Sequence, residues 1–397
     1  MAEGRTRPAW AEIDLGALRH NVGLLRRIAA PSALCAVVKA DAYGHGAPEV
    51  AGAAVESGAA SLAVALVDEA VEIREGGVSA PMLLLSEPPP DAAEATVAAG
   101  LTATLCTLEG VASMARAAKA ADTEVAVHVK VDTGMHRFGA EPAAVPGIVA
   151  AVAEQPMLRI EGLWTHLAVA DGDGAEDRAF SAAQLARFDD VVARLAGAGA
   201  RPPVLHAANS AGAIAWPDAR YDLVRCGIAL YGELPAPSMA DVFARAAPGE
   251  ALRPVLSLKA HVAAVRELSA GERPSYGRLR PLPDRAVVAT VPVGYADGVP
   301  RALFAGGLEV LIGGRRRPLA GMVTMDQIVV DCGPGAPVAP GDEVVLLGRQ
   351  GTEEITAAEW AGRLGTISYE VLTGIGPRVP RIVSDGAGPK ARSARRP

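Results

Sequence analysis

Short apolar runs alternate with longer amphipathic stretches through the first part of the chain. The runs at 34–38, 62–66, 82–85, 101–105, 125–131, 159–164, 203–206 and 223–225 are close to continuously apolar. That pattern belongs to strands covered on both faces, not on one. Between them lie 48–57, 68–74, 91–99, 108–120, 145–154, 181–197 and 210–215, Ala-rich and helix-like. Strand-then-helix units recurring about every 25–30 residues predict an α/β fold, a parallel (β/α)8 barrel of the TIM type, with a doubly wound open sheet as the alternative. After residue 245 the texture changes: 255–265, 286–291, 308–312, 327–330 and 343–347 read as strands between Gly/Pro turns, and only 357–364 looks helical. A mostly antiparallel β domain is expected there, with the boundary inside 246–254. The expected division is therefore 1–247 for the barrel, 248–384 for the β domain and 385–397 for a disordered basic tail.

Composition narrows the classes. The chain has 397 residues, and a barrel takes roughly 250 of them, leaving room for one smaller unit. Hydrophobic residues make up 50% and charged residues 21%, enough for a large core. Aromatics are only 4%, so the core is aliphatic and each of the six tyrosines invites a question. The net charge of −7 argues against a nucleic-acid-binding surface, the one basic cluster being Lys390, Arg392, Arg395 and Arg396 in the tail. Cys35, Cys106, Cys226 and Cys332 lie far apart with no CxxC pair, so neither a disulfide framework nor a zinc ribbon is expected. The seven histidines form no HxH or HExxH pair, and no bound metal is expected. Residues 1–7 lack the apolar core of a secretory signal, and no apolar run approaches the roughly 20 residues that span a bilayer. The expected setting is cytoplasmic, without a membrane partner.

Barrels carry chemistry where strands end at their C-terminal face. Lys39 follows five apolar residues at the end of the first strand, with Tyr43 four positions on and Gly44-His45-Gly46 after it. A lysine there can form a Schiff base with a carbonyl, or act as a base if its pKa is lowered. The fifth strand runs into Lys130, Asp132 and Arg137, the sixth ends at His166, and the seventh ends at His206 with Asn209-Ser210 opening a helix. The eighth ends at Arg225, followed by Gly227 and Ile228. The loops after strands seven and eight are where barrels commonly hold phosphate, on backbone N–H groups. A strand-end lysine facing a phosphate site suggests pyridoxal phosphate, although Schiff-base aldolases combine the same two features.

The motifs resemble those of the alanine racemase family. The matching stretches are 11–15 (AEIDL), 37–46 (VVKADAYGHG), 130–139 (KVDTGMHRFG), 165–166, 206–210, 225–232 (RCGIALYG), 275–277 (SYG), 294–298 (GYADG), 325–327 (MDQ) and 367–370 (ISYE). They run in order over nearly the whole chain, and the pairing of the lysine motif with SYG and MDQ is much more specific than the lysine motif alone. The resemblance implies an N-terminal barrel, a C-terminal β domain and a head-to-tail homodimer. It implies that Lys39 carries pyridoxal 5'-phosphate, that Tyr43, Ser210, Gly227, Ile228 and Tyr369 bind its phosphate with Asn209 also among the cofactor-binding residues, and that Arg225 faces its ring nitrogen. His206 would support Arg225, and His166 would lie nearby. Tyr276 would be the second catalytic base, reaching the partner subunit's site. Arg137 and the backbone at Met325 would meet the substrate carboxylate, with Asp326 supporting them. Lys130 matches a lysine carbamylated in some members, and Tyr295 and Arg301 match the entrance and its supporting network.

Racemisation removes the Cα proton from one face and returns one to the other, so it calls for two opposed acid/base groups. Lys39 and Tyr276 have reference pKa values of about 10.4 and 10, and both need lowering to act as bases near neutral pH. An arginine stays protonated, so Arg225 should leave the ring nitrogen unprotonated and make the cofactor a weaker electron sink. The expected reaction is interconversion of L- and D-alanine, supplying D-alanine for peptidoglycan. A broad-specificity racemase, an amino-acid decarboxylase of the same fold, and a non-catalytic cofactor-binding protein are the competing readings. Tyr276 speaks against the decarboxylase and the whole β domain against the binding protein. One position departs from the family pattern: residue 324 is Thr, where the family often has Cys.

Overall fold

The structure is a computed structural model that describes residues 7–385; all but the first residue of the expected tail, and most of the segment read for a secretory signal, lie outside them. Two compact units emerge.

The first comprises 18–42 and 46–253. Its strands are Ala33–Val37, Ser61–Val64, Met82–Leu84, Ala103–Leu105, Val125–Lys130, Leu158–Trp164, Val204–His206 and Leu223–Cys226. They pair in parallel as two arcs of four, the first and eighth strands lying side by side in one arc. The arcs join at one seam through the Leu83–Thr102 bridge and at the other through Asp222 N–H to the Leu205 carbonyl (3.0 Å) and Arg225 N–H to the Ala208 carbonyl (2.9 Å). The ring closes, which excludes the open-sheet alternative. Its helices bury an aliphatic stripe: Leu108–Ala120 starts at Thr107, whose hydroxyl accepts from Gly110 N–H, and turns Val111, Met114, Ala117 and Ala118 inward.

The segment after the first strand is unusual. Lys39–Gly44 is one helical turn, yet Ala40, Asp41, Ala42 and Tyr43 have φ of 53°, 52°, 52° and 56°. It is a left-handed turn carried by four successive non-glycine residues before Gly44 (φ 81°), and each such L-residue costs about 1–2 kcal/mol. Hydrogen bonds from Ala40 N–H to Glu69 Oε1 (2.6 Å) and from Ala47 N–H to Asp41 Oδ1 (2.7 Å) hold it in place.

The second unit comprises 7–17, 43–45 and 254–385. Its larger sheet runs Arg315–Pro318, Glu309–Ile312, Glu343–Gln350, Leu256–His261, Ala9–Asp14, Arg381–Ser384, with Glu353–Ile355 beside Glu343–Gln350. A second sheet holds Ala264–Leu268, Ala286–Val291 and Ile328–Gly333. Pairing is antiparallel except between Ala9–Asp14 and Arg381–Ser384. Three expectations are corrected here. Residues 1–247 do not all belong to the barrel, because Ala9–Asp14 satisfies its backbone between Leu256–His261 and Arg381–Ser384. The run 255–265 is two strands in different sheets, turned at Val262, whose N–H goes to the Asp342 carbonyl while Ala263 N–H goes to Thr290. Helix is not confined to 357–364: Ser368–Thr373 is helical too.

Candidate active site

In the barrel unit the strand ends gather Lys39, Lys130, His166, His206 and Arg225. Trp164, buried at the end of the sixth strand, is the surface that Lys130, His206 and Arg225 share. Lys130 Nζ lies 4.4 Å from its ring centroid, the Arg225 guanidinium 4.5 Å, and the His206 ring stacks on it at 5.6 Å and 11°. Arg225 itself is buried. Its Nη1 donates to His206 Nδ1 (2.8 Å), and its Nη2 to the carbonyls of Thr165 (2.8 Å) and Ala207 (3.1 Å) and to His166 Nδ1 (3.2 Å). None of these partners is a carboxylate, so the positive charge is not neutralised by them. Burial pushes Arg225 down to about 10, still charged at neutral pH.

The same crowding acts on its neighbours. Burial, then the charges of Arg225 and Arg137, brings Lys130 down to about 8. Burial and Arg137 also lower Lys39, partly offset by Glu69. His166 and His206 are held neutral, far below the usual imidazole range, by burial and by Arg225. Arg137 is exposed on a loop that is well fixed. Asp132 Oδ1 accepts from Gly134 N–H (2.9 Å) and His136 N–H (3.1 Å), and Arg187 donates to the Thr133 carbonyl (2.7 Å). Although burial alone would raise it, those backbone donors keep Asp132 below the normal carboxylate range.

Across the barrel mouth, Asn209 caps the helix Ser210–Ala215 by accepting from Gly212 N–H. The buried Ser210 Oγ accepts from Gly227 N–H at 2.9 Å, and Ala229 N–H lies 3.4 Å from it. Gly227 precedes Ile228, which opens the short helix Ile228–Tyr231. The turn of backbone amides expected after strand eight is present, organised by one hydroxyl.

The second unit assembles the remaining residues on its own scaffold. Tyr295 N–H donates to the Thr324 carbonyl and Ala296 N–H to the Met325 carbonyl, both at 3.0 Å. Ser275 Oγ donates to the Met322 carbonyl (2.7 Å), fixing the turn that presents Tyr276. Gly294 permits this approach: a Cβ there would stand 2.3 Å from the Thr324 carbonyl oxygen. Thr324 Oγ1 donates to the Gln327 carbonyl (2.7 Å) and accepts from Gln327 N–H (3.2 Å), closing the loop that carries Met325 and Asp326. Asp326 accepts from Arg378 (2.6 Å). Tyr43 and Tyr369 face one another with ring centroids 6.1 Å apart. Arg301 is exposed at the start of Arg301–Phe304.

Family models decide the kinship: that of the alanine racemase N-terminal domain matches 13–235 and that of the C-terminal domain matches 255–383. The chain belongs to the alanine racemase family. It is 47% identical over 376 residues to the alanine racemase of Symbiobacterium thermophilum, covering 95% of this chain and 97% of that one. With the alanine racemase of Desulfosudis oleivorans it shares 43% over 395 residues, covering 97% and 98%. Among solved structures it resembles alanine racemase from D-cycloserine-producing Streptomyces lavendulae, with TM-score 0.86 and 38% identity over 96% of this chain and 98% of the other. It also resembles that of Bacillus anthracis with bound L-Ala-P, with TM-score 0.87 and 35% identity over 96% of each.

Four residues of this family member escaped the sequence reading. Asp297, fully buried in the GYADG motif, accepts from Gly294 N–H (2.9 Å) and pairs with Arg378 (3.4 Å). His128, Glu161 and Gly162 lie behind Arg225. His128 was legible as an inward position of a buried strand; Glu161 was not, since an isolated acid in a strand carries no signal.

Proposed function

We propose that this protein interconverts L- and D-alanine on pyridoxal phosphate, with Lys39 and Tyr276 as the two opposed bases. The observation that carries the reading is the pairing of a lysine of lowered pKa with a buried arginine whose hydrogen-bond partners among the described residues are imidazoles and carbonyls, on adjacent barrel strands. When bound, the cofactor supplies a carbonyl that condenses with the substrate amine and a ring that delocalises the charge left at Cα.

The residues fit that group by their donor chemistry. Lys39 would hold the aldehyde carbon. The amides ordered by Ser210, at Gly227 and Ile228, with Asn209 at the helix start and the phenols of Tyr43 and Tyr369, would hold the phosphate. Arg225 would donate to the ring nitrogen, with His206 and His166 behind it. Because an arginine does not give up its proton, Arg225 would leave that nitrogen unprotonated and so limit how much charge the bound group could draw from Cα. Lys39, depressed by burial and by Arg137, takes or returns the proton at one face of the substrate. Tyr276 does so at the other, and Arg137 with the Met325 backbone holds the carboxylate. Lys130 would orient Arg137 only as its carbamate, which turns a repelling ammonium into an acceptor; Tyr295, Arg301 and Asp326 would shape the entrance.

Tyr276 is 75% exposed. That exposure supports a site completed by a second copy of the chain, in a head-to-tail homodimer. Leu279, Tyr295, Met325 and Ile367 are exposed large side chains of the same unit, the surface such a dimer would bury. No helix among the described residues is long and apolar enough to cross a membrane, and we place the enzyme in the cytoplasm, feeding D-alanine to peptidoglycan.

Coupled detection of D-alanine with a panel of amino acids tests the reading. Alanine should turn over fastest; faster serine, lysine or arginine would replace the substrate assignment. Lys39→Ala should abolish the absorption of bound cofactor. Tyr276→Phe should weaken the L-to-D direction most, and equal retention of both directions would remove it as a base.

A further inference from the structure

A row of buried hydrogen bonds leads away from Arg225. His206 Nδ1 meets Arg225 Nη1 at 2.8 Å, His206 Nε2 meets His128 Nδ1 at 2.8 Å, and His128 Nε2 meets Glu161 Oε2 at 3.3 Å. Both rings are buried and His206 is 0% exposed, whereas the Glu161 side chain is one-third exposed. The row thus runs from the interior to the barrel wall, where Arg159 braces Glu161 Oε1 at 3.2 Å.

Donor and acceptor chemistry gives it one direction. A guanidinium only donates, so His206 Nδ1 must be bare. A neutral ring then carries its proton on Nε2, which donates to His128 Nδ1. That nitrogen is bare in turn, so the His128 proton sits on Nε2 and points at Glu161. The reverse order would put a proton on His206 Nδ1 facing Arg225, or leave His206 with none at all. Arg225 and Glu161 impose the same order from the two ends, and without the carboxylate, acceptor only, nothing at the His128 end holds its proton on Nε2.

The fold has made room for it. Gly162, in register with His128 on the neighbouring strand, would place a Cβ 2.5 Å from His128 Nδ1. Any side chain there displaces the ring. On the other side His206 stacks on Trp164, so neither imidazole turns freely.

We propose that Glu161, acting through His128 and His206, is a positioning residue that fixes both imidazole tautomers and thereby the plane in which Arg225 presents its N–H groups. The inference rests on the reading above that Arg225 faces the ring nitrogen of the cofactor.

The experiment uses the full-chain holoenzyme labelled with [15N]histidine, and its cofactor-stripped form, with ring tautomers read from long-range 15N–1H couplings. In the parent protein His128 and His206 should both be neutral and protonated on Nε2, with or without cofactor. Glu161→Ala should spread His128 over both tautomers, shift the absorption of bound cofactor, and lower kcat about tenfold, the loss of one charge-assisted hydrogen bond. Glu161→Gln retains an acceptor and should restore most of both, and Gly162→Ala should mimic Glu161→Ala while leaving the carboxylate in place. A parent protein with His128 or His206 protonated on Nδ1, or unchanged tautomers in Glu161→Ala, overturns the proposal. Tautomers that shift in Glu161→Ala without a change in absorption, when Arg225→Lys does change it, also overturn the positioning role. If neither Glu161→Ala nor Arg225→Lys alters the absorption while the tautomers respond, the placement of Arg225 fails and the hydrogen-bond row stands.

Discussion

Replacing Ala40 with glycine should stabilise this protein, against the usual effect of that substitution in a helix. Ala40 has φ 53° and is exposed, so its methyl group contributes little packing. Relief of the left-handed conformation returns about 1–2 kcal/mol. The added freedom of glycine in the unfolded chain takes back about 0.4–1 kcal/mol. The net gain is about 0.5–1 kcal/mol, which for a unit of this size raises Tm by about 1–3 °C. The bond from residue 40 N–H to Glu69 is a backbone bond and survives. An internal control is available in Ala150, exposed in the ordinary helix Val145–Ala153. Ala150→Gly should lose about 1 kcal/mol. Ala42→Gly is a second control: its φ is 52° but its methyl is fully buried, so a lost burial of about 0.8 kcal/mol should cancel most of the gain. Thermal unfolding of the holoenzymes by circular dichroism and urea midpoints would measure all three. If Ala40→Gly lowers Tm as Ala150→Gly does, the left-handed turn is not a strained element and the reasoning fails.

Other outcomes follow from the same geometry. Ser210→Ala leaves the buried Gly227 N–H without its acceptor and should weaken cofactor affinity about tenfold, read by fluorescence titration of stripped protein; an unchanged Kd would exclude Ser210 from the phosphate cradle. His206 is held neutral well below the usual 6.5 of the unfolded chain. Above pH 6.5 both states carry it neutral, and below it only the unfolded state takes up the proton. Stability should then fall by about 1.4 kcal/mol per pH unit from this group alone, and urea midpoints that stay level between pH 6.5 and 5.5 would contradict it. Thr324→Val removes both hydroxyl bonds to Gln327 and should raise the KM for alanine several-fold with little change in kcat, whereas Thr324→Cys should retain most of the parent KM. A Thr324→Val enzyme with parent KM would show that the hydroxyl does not position Met325.

The barrel was legible because its strands are covered on both faces: each predicted run overlaps an observed strand, as 82–85 does Met82–Leu84 and 223–225 does Leu223–Cys226. Strand-end residues were legible for the same reason, since the barrel topology alone puts Lys39, His166, His206 and Arg225 on one rim. Illegible were elements defined by distant partners. The run 9–14 mixes Trp10 and Glu12 without a strong period, and it is a strand only because Leu256–His261 and Arg381–Ser384 flank it. The left-handed turn had no marker either: Gly44 and Gly46 pointed to a tight turn one step too late, while the strain falls on Ala40 to Tyr43. His128 and Glu161 form their row only once neighbouring strands are in register.

The inner position of Ala9–Asp14 has a consequence for how the molecule is made. Ala11 lies in register with Arg381, 370 positions later. A ribosome adding about 5–20 residues per second needs roughly 20–75 s to deliver that partner. Through this interval the barrel can complete itself and Leu256–His261 can pair one edge of Ala9–Asp14, but the other edge of that strand stays open until Arg381–Ser384 arrives. Among the described residues Arg381–Ser384 is the last strand to be made and the one that closes the second edge of the first, so this sheet is completed only after residue 384 has been added.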